Sequence, residues 1–338
     1  MTIKAQIQYI FCVNLLELAL SSIEFLTFRE KTLLGEKLSS VDELCSMDRE
    51  TLGAAVGRAI KNATWDGNRC LAIAERSFAI IERLGIKAYT ARDPGYPAMF
   101  SQMFDPPYMV FVRGEIGCLE KRCVSVVGTR RVCQKCAEST LDFAARCASD
   151  GLTVVSGLAY GVDTFAHRGA LSSGGLTAAV MPSGIDTVVP YGNRSLASRI
   201  LEGGGLLLSE YLPGVPSETW RYVKRNRLIA ALSSVTVVTQ APPGSGALIT
   251  ADFALNYNRY LMFHRDCFCE QASQLTEKTV AALRMKNTKT ALGKIENSSE
   301  NYVRDGAPVF GSYDEFIRTL EECPGPSEKK AGQPELAF

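Results

Sequence analysis

The sequence predicts an α/β protein, a doubly wound and mostly parallel sheet preceded by a small all-helical domain. Three observations predict it. Short apolar runs alternate with helical stretches from Val124 onward, as in chains built from right-handed βαβ crossovers. Turns rich in glycine and serine follow those runs. Before them lie about 87 residues with helical periodicity and no strand pattern.

The helical part comes first. Between Tyr9 and Phe25, Val13, Leu16, Leu20 and Ile23 share one helical face, and Asn14, Glu17, Ser21 and Glu24 another. No run there approaches the roughly 20 apolar residues of a membrane span. Lys4 is the only early charge, so a secretory leader is not expected and the expected location is cytoplasmic, with no membrane partner. Short amphipathic pieces follow at Leu33–Leu38, Val41–Cys45 and Ala54–Ile60, with Ser40 and Asp48 placed as N-caps. A longer helix, Cys70–Leu84, is stopped by Gly85. The first connection, read as Thr27-Phe-Arg-Glu-Lys31, lacks the glycines of a DNA-gripping hairpin, which favours a structural or partner-binding role.

Strands are expected at Tyr108–Val112, Val124–Val127, Leu152–Val155, Thr177–Met181, Gly205–Leu208, Val235–Thr239 and Tyr260–Phe263. Helices are expected near Ala137–Ala148, Asp163–Leu171, after Asn193, at Arg227–Leu232 and up to Asn256. The division that results is 1–87 helical, 88–320 sheet domain with a polar surface insertion at 270–301, and 321–338 a loose tail.

Composition narrows the function. The 338 residues carry 37 basic and 36 acidic side chains, a net charge of +1, so a globally basic nucleic-acid binder is excluded while a local basic site is not. Eleven cysteines, irregularly spaced, read as reduced thiols. Cys133-Gln-Lys-Cys136 and Cys267-Phe-Cys269 would offer zinc four thiolates if they met in space. The reading taken is that Cys133 and Cys136 are small residues opening a helix, and neither metal nor cofactor is assigned.

The loops carry the chemistry. Gly128, Gly157, Gly184 and Gly244-Ser-Gly246 all follow strands, and in an open α/β sheet such loops share the ligand-binding edge. Glycine turns entering helices offer backbone N–H groups and a positive dipole end. Gly128-Thr129-Arg130-Arg131 adds a hydroxyl and two guanidiniums suited to phosphate. The segment Arg221-Tyr-Val-Lys224-Arg225-Asn226-Arg227 holds four basic residues in seven beside Trp220, a pattern suited to stacked single-stranded bases. Its plainer reading is a helix start whose arginines pair with carboxylates such as Glu210, with Asn226 as N-cap. No P-loop and no dinucleotide fingerprint is present. Asp163 and His167, four apart on one helix, read as a structural pair rather than a catalytic one.

Together these residues resemble the DNA-processing protein A (DprA, or Smf) family. The resemblance runs from Tyr96 to His264, with an echo at Asp305-Gly306-Ala307. It rests on Tyr96-Pro97, Pro106-Pro107, Gly128-Thr129-Arg130, Ser156-Gly157-Leu158-Ala159, Gly161-Val162-Asp163 and Ala166-His167. Further along it rests on Ser209-Glu210, Arg225-Asn226-Arg227-Leu228-Ile229-Ala230 and Ser245-Gly246-Ala247-Leu248-Ile249-Thr250-Ala251. The resemblance implies an extended Rossmann-like domain behind a SAM-like helical one. It implies a homodimer without enzymatic activity that binds and protects incoming single-stranded DNA and helps load the recombinase RecA during natural transformation and recombination. The phosphate-binding roles carried over fall on Gly128, Thr129, Arg130, Arg225, Asn226, Arg227, Ser245 and Gly246; the reading of the loops and the basic cluster adds Arg131, Ser156, Gly157 and Lys224. Tyr160 and Gly244 stand where the family commonly has basic residues, so two rim charges are missing. His264-Arg265 replaces the usual Pro-Gly. The competing reading is a nucleotide-binding or nucleotide-cleaving enzyme or sensor of related fold. Against it, Pro243-Gly-Ser-Gly246 leads into Ala247-Leu248 instead of the Pro-Gly-Gly-x-Gly-Thr loop of cleaving enzymes.

Overall fold

A computed structural model describes residues 14–322. Five helices come first: α1 (Leu15–Ser22), α2 (Phe28–Lys37), α3 (Val41–Ser46), α4 (Arg49–Val56) and α5 (Gly67–Leu84). Short polar side chains set their starts. Asn14, Ser40, Asp48 and Asp66 each accept a backbone N–H from the first turn. Thr27 and Glu30 form a reciprocal capping box. Thr27 therefore begins α2, and the first connection is Ile23–Thr27 rather than 27–31. Gly85 ends α5 at φ +61°, a left-handed conformation that glycine adopts without steric penalty. The part of the first amphipathic stretch before Asn14 lies outside the described residues.

The sheet has nine strands in the order β1-β2-β6-β5-β4-β3-β7-β8-β9. They are β1 (Lys87–Thr90), β2 (Met109–Gly114), β3 (Cys123–Gly128), β4 (Thr153–Ser156), β5 (Thr177–Val180), β6 (Leu206–Ser209), β7 (Val235–Gln240), β8 (Tyr260–His264) and β9 (Val309–Phe310). The pairs β1–β2 and β2–β6 are antiparallel and the remaining pairs parallel. The connecting helices are α6 (Gln134–Ser149), α7 (Val162–Ser172), α8 (Arg194–Glu202), α9 (Thr219–Ala231) and α10 (Gly246–Asn256). The doubly wound, mostly parallel architecture is thus the one expected.

Alternation along the strands divides the core. Val127, Val155, Val180, Leu208 and Val238 pack with α9 and α10. Val126, Val154 and Val237 face the other way, onto α6 and α7. Ala179 and Leu207 also face away, but they join Phe111 and α8 in an apolar cluster that continues into Leu18, Leu34, Leu52 and Ile81. The N-terminal helices therefore share a core with the sheet. Arg221 of α9 strengthens the join through an ion pair with Glu24, 3.1 Å, and Ser77 of α5 donates to the Pro213 carbonyl at 3.0 Å.

Two expectations change. Residues 270–301 are helical: α11 (Glu270–Lys286), α12 (Lys289–Glu296) and the start of α13 (Ser299–Arg304). Only Ala272 is buried in α11 and Ala291 in α12, so their apolar stripe is too narrow to register as periodicity. The helix expected at Arg227–Leu232 begins eight residues earlier, at Thr219, which puts the basic cluster inside it. The chain then adds α14 (Tyr313–Glu322); the rest of the proposed tail lies outside the described residues. Among the described residues, no helix is long and apolar enough to cross a membrane.

Candidate nucleic-acid interface

Strand order reverses between β3 and β7, with β3 leading to β4 on one side and β7 to β8 on the other. The crevice at such a switch point is where open α/β sheets bind ligands. The loop after β3 is fixed by Thr129, which is buried. Its N–H donates to the Gln240 carbonyl at 2.7 Å, and its own carbonyl accepts from Val162 at 3.1 Å. Its Oγ1 accepts from the Arg131 N–H at 3.2 Å. With Thr129 anchored, Arg130 and Arg131 are turned out to solvent. The Arg130 guanidinium lies 5.1 Å from the centre of the Tyr222 ring.

Helix α9 treats its basic residues differently. Lys224 is exposed, 5.8 Å from the Trp220 ring centre and 5.9 Å from that of Tyr211. Arg221, Arg225 and Arg227 are buried. Arg225 donates to the carbonyls of Gly157 (2.7 Å) and Val180, tying two loops to the helix. A side chain at Gly157 would place its Cβ 2.6–2.7 Å from that guanidinium, so only glycine lets Arg225 lie there. Burial lowers the Arg225 pKa to about 10, and the neighbouring Asp163 carboxylate opposes the shift, so the guanidinium stays charged near neutrality. Arg227 pairs with Glu210 and donates to the Asp105 carbonyl at 2.9 Å. Asn226 is mid-helix, not a cap, and its amide donates to the Gly246 carbonyl at 3.1 Å. Arg225 and Arg227 were expected to grip phosphate; the structure places both in the interior, bonded to the protein's own carbonyls and, for Arg227, paired with Glu210. The plainer reading of the arginines, pairing with Glu210, holds for Arg227.

The Ser156-Gly157 loop is also satisfied from within. Ser156 Oγ donates to the Val126 carbonyl at 2.7 Å. The N–H groups of Gly157 and Ala159 donate to Asp163 Oδ2 at 3.2 and 3.3 Å. Asp163 Oδ2 thus occupies the amides of a loop expected to take phosphate. It does not pair with His167. Thr177 Oγ1 gives its proton to the Val154 carbonyl (2.6 Å) and so accepts from His167 Nδ1 (2.7 Å). His167 Nε2 is buried with no hydrogen-bond partner among the described residues.

This buried imidazole has a measurable signature. Burial, aided by the Arg225 charge, pushes the His167 pKa down to about 3. The unfolded chain takes up this proton near pH 6.5, the folded chain only near pH 3. The neutral ring's contribution is therefore complete above about pH 6.5 and is lost as pH falls toward 3, at up to about 1.4 kcal/mol per pH unit. His167→Gln, which keeps a donor for Thr177, should show a smaller loss over that window in urea unfolding. Equal slopes for the two proteins would contradict the assignment.

The rim is completed by Tyr191, Asn193, Arg194 and Lys294, which the sequence did not single out, beside Tyr160, Gly244 and Ser245, which it did. Asn193 donates to the Leu158 carbonyl at 2.8 Å and to Thr164 Oγ1 at 2.9 Å, which fixes the Tyr191–Arg194 turn beside the loop after β4. Tyr160 and Tyr191 stand 51% and 69% exposed there. The Arg194 guanidinium covers the Tyr191 ring at 3.1 Å. Ser245 caps α10 by accepting from the Ala247 N–H at 3.3 Å. Gly244, at φ +74°, lies under the aliphatic stem of Lys294 from α12. Cys133, two residues beyond Arg131, lies with Cys136 and Cys269 in a cluster of thiols.

The model of the DNA recombination-mediator protein A family matches residues 87–295, which include the whole rim. The chain belongs to this family, the DprA/Smf family of the sequence motifs. It is 33% identical over 199 residues to Protein Smf of Borreliella burgdorferi, covering 59% of this chain and 63% of that protein. It is 36% identical over 172 residues to DNA processing protein DprA of Streptococcus pneumoniae, covering 51% and 60% respectively. The chain thus spans less than two thirds of these curated relatives. The crystal structure of DNA processing protein A from Streptococcus pneumoniae shares the fold at a TM-score of 0.66, with 23% identity over 91% of this chain and 98% of that one. DNA processing protein A from Helicobacter pylori, described for its single-stranded DNA binding mode, aligns at a TM-score of 0.54 and 27% identity, over 70% and 96%.

Proposed function

We propose that this DprA/Smf family member binds single-stranded DNA along the strand-end rim and acts in DNA processing without catalysing a reaction. The observation that carries this reading is the pairing of exposed cations with aromatic rings: Arg130 with Tyr222, Lys224 with Trp220, and Arg194 with Tyr191. Such a surface offers phosphates a charge and bases a stacking face, which suits an unpaired strand of any sequence. The single-stranded DNA binding described for the Helicobacter pylori relative supports it. Lys294, over Gly244, supplies a charge where the family's usual rim residue is missing. Following the family's roles, the protein is proposed to work in the cytoplasm as a homodimer, protecting incoming DNA and helping to load RecA during transformation and recombination.

The groups a cleaving enzyme would need are engaged elsewhere. Asp163 holds two loop amides, His167 is buried, and Glu210 is paired with Arg227. The test is fluorescence anisotropy with thymidine oligomers of increasing length, competed by free nucleotides. Affinity should rise steeply with length, and millimolar nucleotide should not displace the oligomer. A mononucleotide that competes as well as an oligomer would replace this reading with the nucleotide-sensor one.

A further inference from the structure

Outside the rim, the side chains of Cys133, Cys136 and Cys269 converge, with all three sulfurs within 4.8 Å of one another. The fold brings them together from two distant segments. Cys133 is the N-cap of α6 and Cys136 lies in its first turn, while Cys269 is the N-cap of α11. Neither cysteine caps its helix through its side chain; at α6 the N–H groups of Cys133 and Lys135 donate instead to Gln240 Oε1 at 2.8 Å and Gln271 Oε1 at 3.3 Å. Cys267, counted with the others in the sequence, departs into the core toward Ser299 Oγ at 3.7 Å. Of the four thiols that the two motifs offer, three therefore meet.

We propose that Cys133, Cys136 and Cys269 bind one zinc ion as thiolates. Tetrahedral zinc with Zn–S bonds of about 2.3 Å needs sulfurs about 3.8 Å apart, and the three sulfurs here all lie within 4.8 Å of one another. The fourth ligand is solvent. His264 Nδ1 is committed to the Asp266 N–H at 3.2 Å, and Cys133 and Cys269 are partly open to water. Binding releases the three thiol protons to solvent and leaves one net negative charge on the centre. A disulfide would use two of the three sulfurs and needs an oxidant; zinc uses all three. The ion clips the start of α6, just past Arg131, to the start of the helical insertion, so the phosphate loop and α11 are held in register.

The test uses the full chain purified under reducing conditions. Metal analysis should find one zinc per chain. Replacing it with cobalt(II) should give thiolate charge-transfer and tetrahedral ligand-field absorption. Cys136→Ser and Cys269→Ser should lose the metal, and Cys267→Ser should keep it. No zinc together with no cobalt spectrum in the wild-type chain would overturn the proposal. So would a disulfide within the trio in metal-free protein, or zinc retained when all three cysteines are serine. The wild-type cobalt spectrum decides the matter even where a variant fails to fold.

Discussion

Arg225→Ala should destabilise the protein by about 3–5 kcal/mol in urea unfolding, the range for truncating a large buried side chain whose polar partners are left unpaired. Three consequences add up. The carbonyls of Gly157 and Val180 lose their donor. Asp163, already pushed toward the neutral form by burial, loses the nearby positive charge that opposes that shift. The guanidinium's volume, packed against Gly157, is left empty. Arg225→Lys should fall between wild type and Arg225→Ala, since an ammonium keeps the charge but not the planar guanidinium whose Nη1 donates to both carbonyls. DNA binding should suffer in step with stability, because the loops Arg225 ties together carry the rim. A loss under about 1 kcal/mol would place Arg225 at the surface in solution and return it to the phosphate-gripping role.

Arg130→Ala should do the opposite. Its side chain is exposed and lies over Tyr222, so stability should stay within about 0.5 kcal/mol. Affinity for a thymidine oligomer should fall about tenfold, near 1.4 kcal/mol. The slope of log K against log salt should shrink by about 0.7, one phosphate neutralised on a single strand. Arg130→Lys should restore most of the slope but only part of the affinity, because the bidentate and stacking contacts are lost. Unchanged affinity in Arg130→Ala would move the strand away from the loop after β3.

These two arginines show what was legible in the sequence. Seven of the nine strands were read within about two residues, because fully buried strands are continuous apolar runs; β1 and the two-residue β9, at the sheet's edges, were not. The glycine loops and the Gly128–Arg131 turn were found because spacing after a strand fixes their position on the edge. Burial was not legible. Four cations in seven residues look alike in a list, but helix α9 turns Arg221, Arg225 and Leu228 inward and leaves Lys224 outside. Once α9 is seen to start at Thr219, the i, i+4, i+7 spacing of Arg221, Arg225 and Leu228 marks them as one inward face. Arg194 and Lys294 come from segments far apart in sequence and meet the rim only through the fold. The turn Tyr191-Gly-Asn-Arg194 did carry a signal, an aromatic and a cation placed at a helix entry after a strand, and it went unread. The thiol trio was half legible: Cys133-x-x-Cys136 declared itself, whereas choosing Cys269 over Cys267 required knowing which of the two ends the turn before α11.

The most direct test of the rim as a single-stranded DNA site is the salt dependence of wild-type binding to a thymidine oligomer. Arg130, Arg131, Arg194, Lys224 and Lys294 are the exposed cations around it. Full engagement would give a slope near −3.5, at about −0.7 per phosphate. The account predicts a value between about −2 and −3.5. A slope near zero, with binding intact, would contradict it.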